Sequence, residues 1–191
     1  MDIVGYTFLA VLIVALFYAI TIYNRLVTLK HNVKRAWGNI DVLLKQRHDE
    51  LPKLIETCKR YMEYEQETLT RVIEARSRVA QAREAGDIPQ LGQAEGILRM
   101  GLGQLFALAE NYPELKADQT FAHLQSRITG LENSIADRRE FYNESVNVYN
   151  IGIEQFPDVL VARIFNYRDA GLLEFEASEL TDVDVGTLFS S

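Results

Sequence analysis

Apolar positions fall into two regimes along this chain. From Ile3 to Asn24 no residue is charged, and the run IVGYTFLAVLIVALFYAITIY is almost wholly apolar; beyond it, apolar residues recur at three- and four-residue steps. About 20 helical residues, rising about 1.5 Å each, cross a hydrocarbon core about 30 Å thick, so the first regime predicts a transmembrane helix. A buried core helix or a cleaved signal peptide would compete. A secretory signal needs a basic start, a shorter apolar stretch and small residues at its cleavage point. Here only Met1-Asp2 precedes a longer run, with no Lys or Arg, so the span is expected to be retained.

Past the span the expectation is helix throughout. No alternating strand pattern occurs before residue 157, and four prolines, at 52, 89, 113 and 157, punctuate the chain. Leu26, Leu29, Val33, Trp37, Ile40 and Leu43 carry the first helix on from the membrane. In RHDELPKL, Asp49 offers an N-cap with Pro52 in the first turn of a new helix; a proline kink in one long helix is the competing reading. Residues 53–85 hold neither Gly nor Pro and read as one helix of about 50 Å. Its seam, Leu54, Cys58, Tyr61, Leu69, Val72, Ala75 and Val79, is interrupted at Glu65 and Thr68. Gly86 ends it, and Asp87 with Gln90 makes a capping box for a helix over about 88–111. Gly92, Gly96, Gly101 and Gly103 lie there among leucines, which predicts close packing of a neighbouring helix.

The last long helix, about 119–155, repeats Phe121, Ile128, Ile135, Tyr142, Tyr149 and Phe156 every seven residues. Its companion positions drift, from Leu124 and Leu131 to Val146 and Ile153, as a straight helix of period 3.6 drifts against a strict heptad. A bundle face is therefore expected rather than a long coiled coil. The fold class predicted is all-α: an N-terminal transmembrane helix, then an antiparallel bundle of three to four long helices. The expected organisation is an anchor over 1–23, a bundle over 24–157, and short elements with an acidic tail over 158–191. From Asp169 onward the chain has six acidic residues and no basic one, which predicts a solvated tail.

Charge adds orientation. Arg25, Lys30, Lys34 and Arg35 follow the span, so the positive-inside rule places the bundle in the cytoplasm and the amino terminus outside. Tyr18 and Tyr23 suit an aromatic belt, and Lys30, Lys34 and Arg35 favour anionic lipid. The 191 residues are 48% hydrophobic, too many for a disordered chain, and carry a net charge of −7, which argues against nucleic acid as a partner. The single cysteine, Cys58, makes no internal disulfide and falls on an apolar seam, where an inert thiol is expected.

Catalytic motifs are missing from the sequence. It has no phosphate loop, no complete dinucleotide fingerprint, no nucleophile elbow and no HExxH helix. A di-iron bundle needs Glu three residues before His; Thr28, Lys45 and Thr120 stand there instead. No cofactor, metal or small-molecule substrate is expected. What remains is a polar set near the seams, Asp41, Glu65, Glu132, Arg138 and Arg139, which reads as an ion-pair layer or an interface.

The blocks YNRLVTLKHNVKRAWGNIDVLLKQRHDELPKLIETCKRY, TLTRVIEARSRV, LFALAENYPELKA, LQSRITGLENSIADRREFYNESVNVYN and QFP, from Tyr23 to Pro157, resemble the LemA family of bacterial membrane proteins. The resemblance implies an N-terminal membrane helix and a cytoplasmic helical bundle in the inner membrane, and it carries no established activity. The sequence departs at Ser134, where Arg is usual, at Arg138, where a small residue is common, and at Tyr64, where His is common. The expected function is a non-enzymatic, membrane-anchored scaffold that self-associates or recruits protein partners at the cytoplasmic face. The alternative is a monomeric adaptor of a membrane protease or envelope-stress system. Its docking peptide would be the acidic tail, through Val183, Val185, Leu188 and Phe189.

Overall fold

The computed structural model describes residues 3–174. Six helices follow one another among them, with no strand: α1 (Ile3–Lys59), α2 (Gln66–Ala85), α3 (Ile88–Ala109), α4 (Pro113–Ala117), α5 (Gln119–Glu154) and α6 (Asp158–Ile164). They form two compact units. Among the described residues, one holds residues 3–39 together with Glu140–Gly171, and the other holds Ile40–Arg139 with residues 172–174.

Of the two readings of Pro52, the structure takes the single long helix: α1 runs through the proline. A proline inside a helix has no N–H to offer the carbonyl four residues back, here that of His48. Arg76 on α2 fills the gap. Its Nε donates to the His48 carbonyl oxygen at 3.0 Å, and its Nη2 lies 2.7 Å from His48 Nε2. The guanidinium has only donors, so that ring nitrogen is the acceptor of a neutral imidazole. Burial first, and the Arg76 charge second, hold the His48 pKa below its ordinary value, in keeping with that tautomer.

The single helix expected over 53–85 is broken instead. α1 ends at Lys59 and α2 begins at Gln66, with Met62 fully buried between them. The amides of Tyr61 and Met62 both donate to the Cys58 carbonyl, at 3.0 and 2.9 Å, and turn the chain. Two side chains hold the corner: Tyr61 Oη donates to Asp118 Oδ2 at 3.0 Å, and Tyr112 Oη donates to Glu65 Oε1 at 3.3 Å. Asp118 also accepts from the amides of Thr120 (2.7 Å) and Phe121 (3.3 Å), capping the start of α5. Those bonds, the Thr120 amide first and the Tyr61 hydroxyl next, hold its carboxyl below the usual range.

α2 and α3 form a hairpin about Gly86, whose φ of +68° is the left-handed conformation that glycine adopts without strain. Asp87 then caps α3 by accepting from the Gln90 amide at 3.0 Å, as expected. The α3 glycines differ from one another. A Cβ on Gly101 would sit 3.4 Å from the Val72 side chain on α2, which is helix-to-helix packing. A Cβ on Gly92 would meet the Glu174 carbonyl, so its neighbour is the returning chain, beside the buried Leu173, rather than a helix.

The other unit pairs the early part of α1 with the later part of α5. Ile22, Leu26, Tyr149, Ile153, Val161 and Ala162 form its core, and Trp37 meets the Tyr142 ring edge-on at 5.6 Å. The heptad row of α5 is buried from Phe121 to Tyr149, and its last member, Phe156, lies beyond the helix and is exposed. The expected solvated stretch after Asp169 is corrected as far as the structure describes it. Residues 168–171 are tied to α5 because Tyr149 Oη donates to the Arg168 carbonyl (2.8 Å) and Tyr142 Oη to that of Gly171 (2.9 Å). Asn150 both donates to the Ala170 carbonyl and accepts from its amide, at 3.0 and 2.9 Å.

Candidate functional site: a buried ion layer

One seam of α1 runs Ile40, Leu44, Arg47, Leu51, Leu54 and Cys58, in steps of four and three, and every member is buried. On α3 the seam runs Leu91, Glu95, Leu98, Leu102 and Leu105, again all buried. Each apolar stripe therefore carries one charged residue, and the two charges meet. Arg47 Nη2 lies 2.5 Å from Glu95 Oε1, and its Nη1 lies 2.7 Å from Glu132 Oε1 on α5. Arg47 is 1% exposed and Glu95 2%; Glu132 reaches the edge of the bundle.

The electrostatics follow from that burial. Desolvation works against the Arg47 charge, but two carboxylates on its terminal nitrogens outweigh it and drive the guanidinium pKa upward. Glu95 is pushed up as well: burial is the largest influence, the Arg47 charge opposes it, and the Glu132 carboxylate adds to it. One guanidinium serves two carboxylates across three helices, so loss of Arg47 would strand the buried Glu95 carboxylate. Arg47 Nε finds no hydrogen-bond partner in the described residues.

The residues singled out from the sequence are scattered relative to this layer. Glu132 belongs to it. Asp41, half-buried, faces Arg83 Nε at 3.8 Å. Glu65 lies at the α1–α2 corner beneath Tyr112. Arg138 is exposed on α5, and Arg139 is half-buried and engaged. Val183, Val185, Leu188 and Phe189 lie outside the described residues. Arg47 and Glu95 escaped the sequence reading, although their signal was present: each interrupts an otherwise apolar three-four stripe with a charge of opposite sign.

The layer is a set of ion pairs enclosed in the bundle. Among the described residues no group of three or more His, Cys, Asp and Glu is arranged to hold a metal ion. Cys58 is fully buried and its thiol is pushed up to about 12, leaving almost no thiolate at neutral pH.

Fold and site together define an all-helical protein with a charged lock in its bundle and an N-terminal helix long and apolar enough to cross a membrane. The LemA family model matches residues 36–186, and the chain belongs to that family. Among relatives, magnetosome protein MamQ 2 of Paramagnetospirillum magneticum is 24% identical over 190 residues, covering 87% of this chain and 70% of that protein. MamQ of Magnetospirillum gryphiswaldense is 24% identical over 169 residues, covering 76% of this chain and 62% of its own. Protein LemA of Metamycoplasma hominis is 25% identical over 181 residues, covering 93% and 80% respectively. None of these names is that of an enzyme.

Proposed function

We propose that this protein is a membrane-anchored, non-enzymatic helical scaffold that self-associates or recruits partners at the cytoplasmic face of the membrane. The carrying observation is α1. Between Ile3 and Ile20 its large apolar side chains are exposed, and the same helix goes on to bury Leu26, Ile40, Leu44, Leu51 and Leu54. So large an exposed apolar surface is costly in water and favourable in lipid. Arg25, Lys30, Lys34 and Arg35, directly after the uncharged run, favour retention of the bundle on the cytoplasmic side. Scaffolding rather than catalysis is supported by the nature of the charged layer, which is consumed by its own ion pairs.

The test is the mass of the detergent-solubilised full-length protein, measured by light scattering after size exclusion. A defined assembly of several copies supports self-association. A monomer overturns it and leaves partner recruitment, for which residues 174–191 supply the docking peptide in the adaptor alternative. Deleting them should then abolish partner crosslinking in cells, and unchanged crosslinking would remove that alternative.

A further inference from the structure

α6 shows apolar side chains inward and outward. Val161 and Ala162 join the core formed with Ile22, Leu26, Tyr149 and Ile153, and Asp158 is buried at the start of the helix. A short helix packed on a water-soluble body shows polar residues on its other side. Here that side carries Leu160, 53% exposed, and Ile164, 77% exposed, with Arg163 as its only charge. The flanking residues continue the patch: Phe156 is 81% exposed and Phe165 55%.

The patch adjoins the end of the span. The Phe165 ring lies 4.6 Å from that of Tyr23, one residue before the uncharged run ends at Asn24. Arg25, the first charge after that run, pairs with Asp158 and ties the start of α6 to α1 at this level. The 22 residues from Ile3 to Asn24 rise about 33 Å, against a hydrocarbon core of about 30 Å. Elements seated on Ile22 and Leu26 therefore lie at the boundary between hydrocarbon and headgroups.

We infer that α6 and its flanks form a second membrane contact, an interfacial element whose Phe156, Leu160, Ile164 and Phe165 enter the lipid beside the span. Aromatic and aliphatic side chains at this depth are what interfacial helices present, and the long Arg163 side chain reaches back to the headgroups. The continuity of the patch with the span selects lipid over a second protein as its cover. The inference rests on Ile3–Asn24 crossing the membrane, as proposed above. In its terms the bundle is held by more than one helix: the returning chain after α5 is pressed onto the same bilayer.

The test uses full-length protein in phosphatidylcholine vesicles, with a nitroxide attached at one introduced cysteine at a time. Oxygen, which partitions into hydrocarbon, and a water-soluble nickel chelate compete to relax the label. Leu12→Cys serves as the lipid reference and the exposed Tyr64→Cys as the water reference. At Leu160→Cys and Ile164→Cys, oxygen should collide more often than nickel, giving a ratio above one as at position 12; position 64 should fall below one. A ratio below one at both α6 positions, with position 12 still above one, overturns the inference and leaves the span intact. Exclusion of both reagents at 160 and 164 also overturns it, because protein then covers the face. A ratio below one at position 12 removes the span and the inference together.

Discussion

The link between Pro52, His48 and Arg76 can be tested quantitatively. Removing the guanidinium with Arg76→Ala leaves the His48 carbonyl with neither its helical donor, which proline lacks, nor its substitute at 3.0 Å. An unsatisfied buried carbonyl costs about 1–3 kcal/mol, and because Arg76 and His48 are only half-buried the lower half of that range applies, about 1.5 kcal/mol. For a protein of this size about 1 kcal/mol moves the melting temperature by about 2–4 °C, so a fall of about 3–6 °C is expected. Pro52→Ala changes the outcome, since an alanine N–H at 52 satisfies the same carbonyl. In that background Arg76→Ala should cost only about 0.5 kcal/mol, for the lost ring contact. The two substitutions should therefore couple by about 1 kcal/mol, well above the 0.3–0.5 kcal/mol scatter of independent sites. The assay is thermal unfolding by circular dichroism in detergent micelles, on the wild type, both single variants and the double variant, at a pH well above the histidine range. Additive shifts would refute the idea that Arg76 replaces the missing helical hydrogen bond.

Four further outcomes are expected. Arg47→Met should destabilise by about 3–5 kcal/mol by stranding Glu95, whereas replacing Arg47, Glu95 and Glu132 together by Met, Leu and Leu should recover most of the loss; denaturant titration measures both. Because the folded His48 pKa lies below its unfolded value, the unfolded chain takes up the proton first, so stability is complete above the unfolded pKa of about 6.5 and falls as pH drops through it. The melting temperature of His48→Gln should accordingly fall less between about pH 7.5 and 5.5 than that of the wild type. Gly92→Ala should push the chain at Glu174 off α3, seen as faster amide exchange at Leu173 with α5 protection unchanged. An impermeant maleimide should label Tyr64→Cys, at an exposed corner, only after bacterial spheroplasts are lysed; labelling of intact spheroplasts would reverse the orientation drawn from the flanking basic residues.

Most of the helical frame was legible because its signals are local. The uncharged run, the α5 heptad row with its drift, the Asp87 cap and the left-handed Gly86 are each specified within a few residues of themselves. Pro52 stayed open between two readings, and the corner at residues 60–65 was missed, for the opposite reason. Pro52 is tolerated because of an arginine 24 residues further on, and the corner is held by Asp118 and Tyr112 from distant parts of the chain. The ion layer falls between these cases. Glu132 stands out in the sequence, but the α1 seam read there ends at Leu43, one helical turn before Arg47. Carried one turn further, it puts a basic residue on one apolar stripe opposite acidic residues on two others. Tail contacts from Arg168 to Gly171 were hidden, since acidic composition alone does not show that Tyr142, Tyr149 and Asn150 hold the backbone there.

The alternation of the two units along the chain has a consequence for synthesis. The unit containing the span closes only when Glu140–Gly171 returns to α1, after the whole of Ile40–Arg139 has been made. At about 5–20 residues per second, those roughly 100 intervening residues take about 5–20 s to translate. Through that interval Leu26, Leu29 and Val33 wait without the partners that will cover them, beside the membrane if Ile3–Asn24 crosses it as proposed. The α2–α3 hairpin has no such wait, because its helices meet across a two-residue turn and can fold as they emerge. A ribosome stalled before residue 140 would hold a chain that is anchored and half built, with its membrane-proximal seam open to whatever chaperone or sister chain reaches it first.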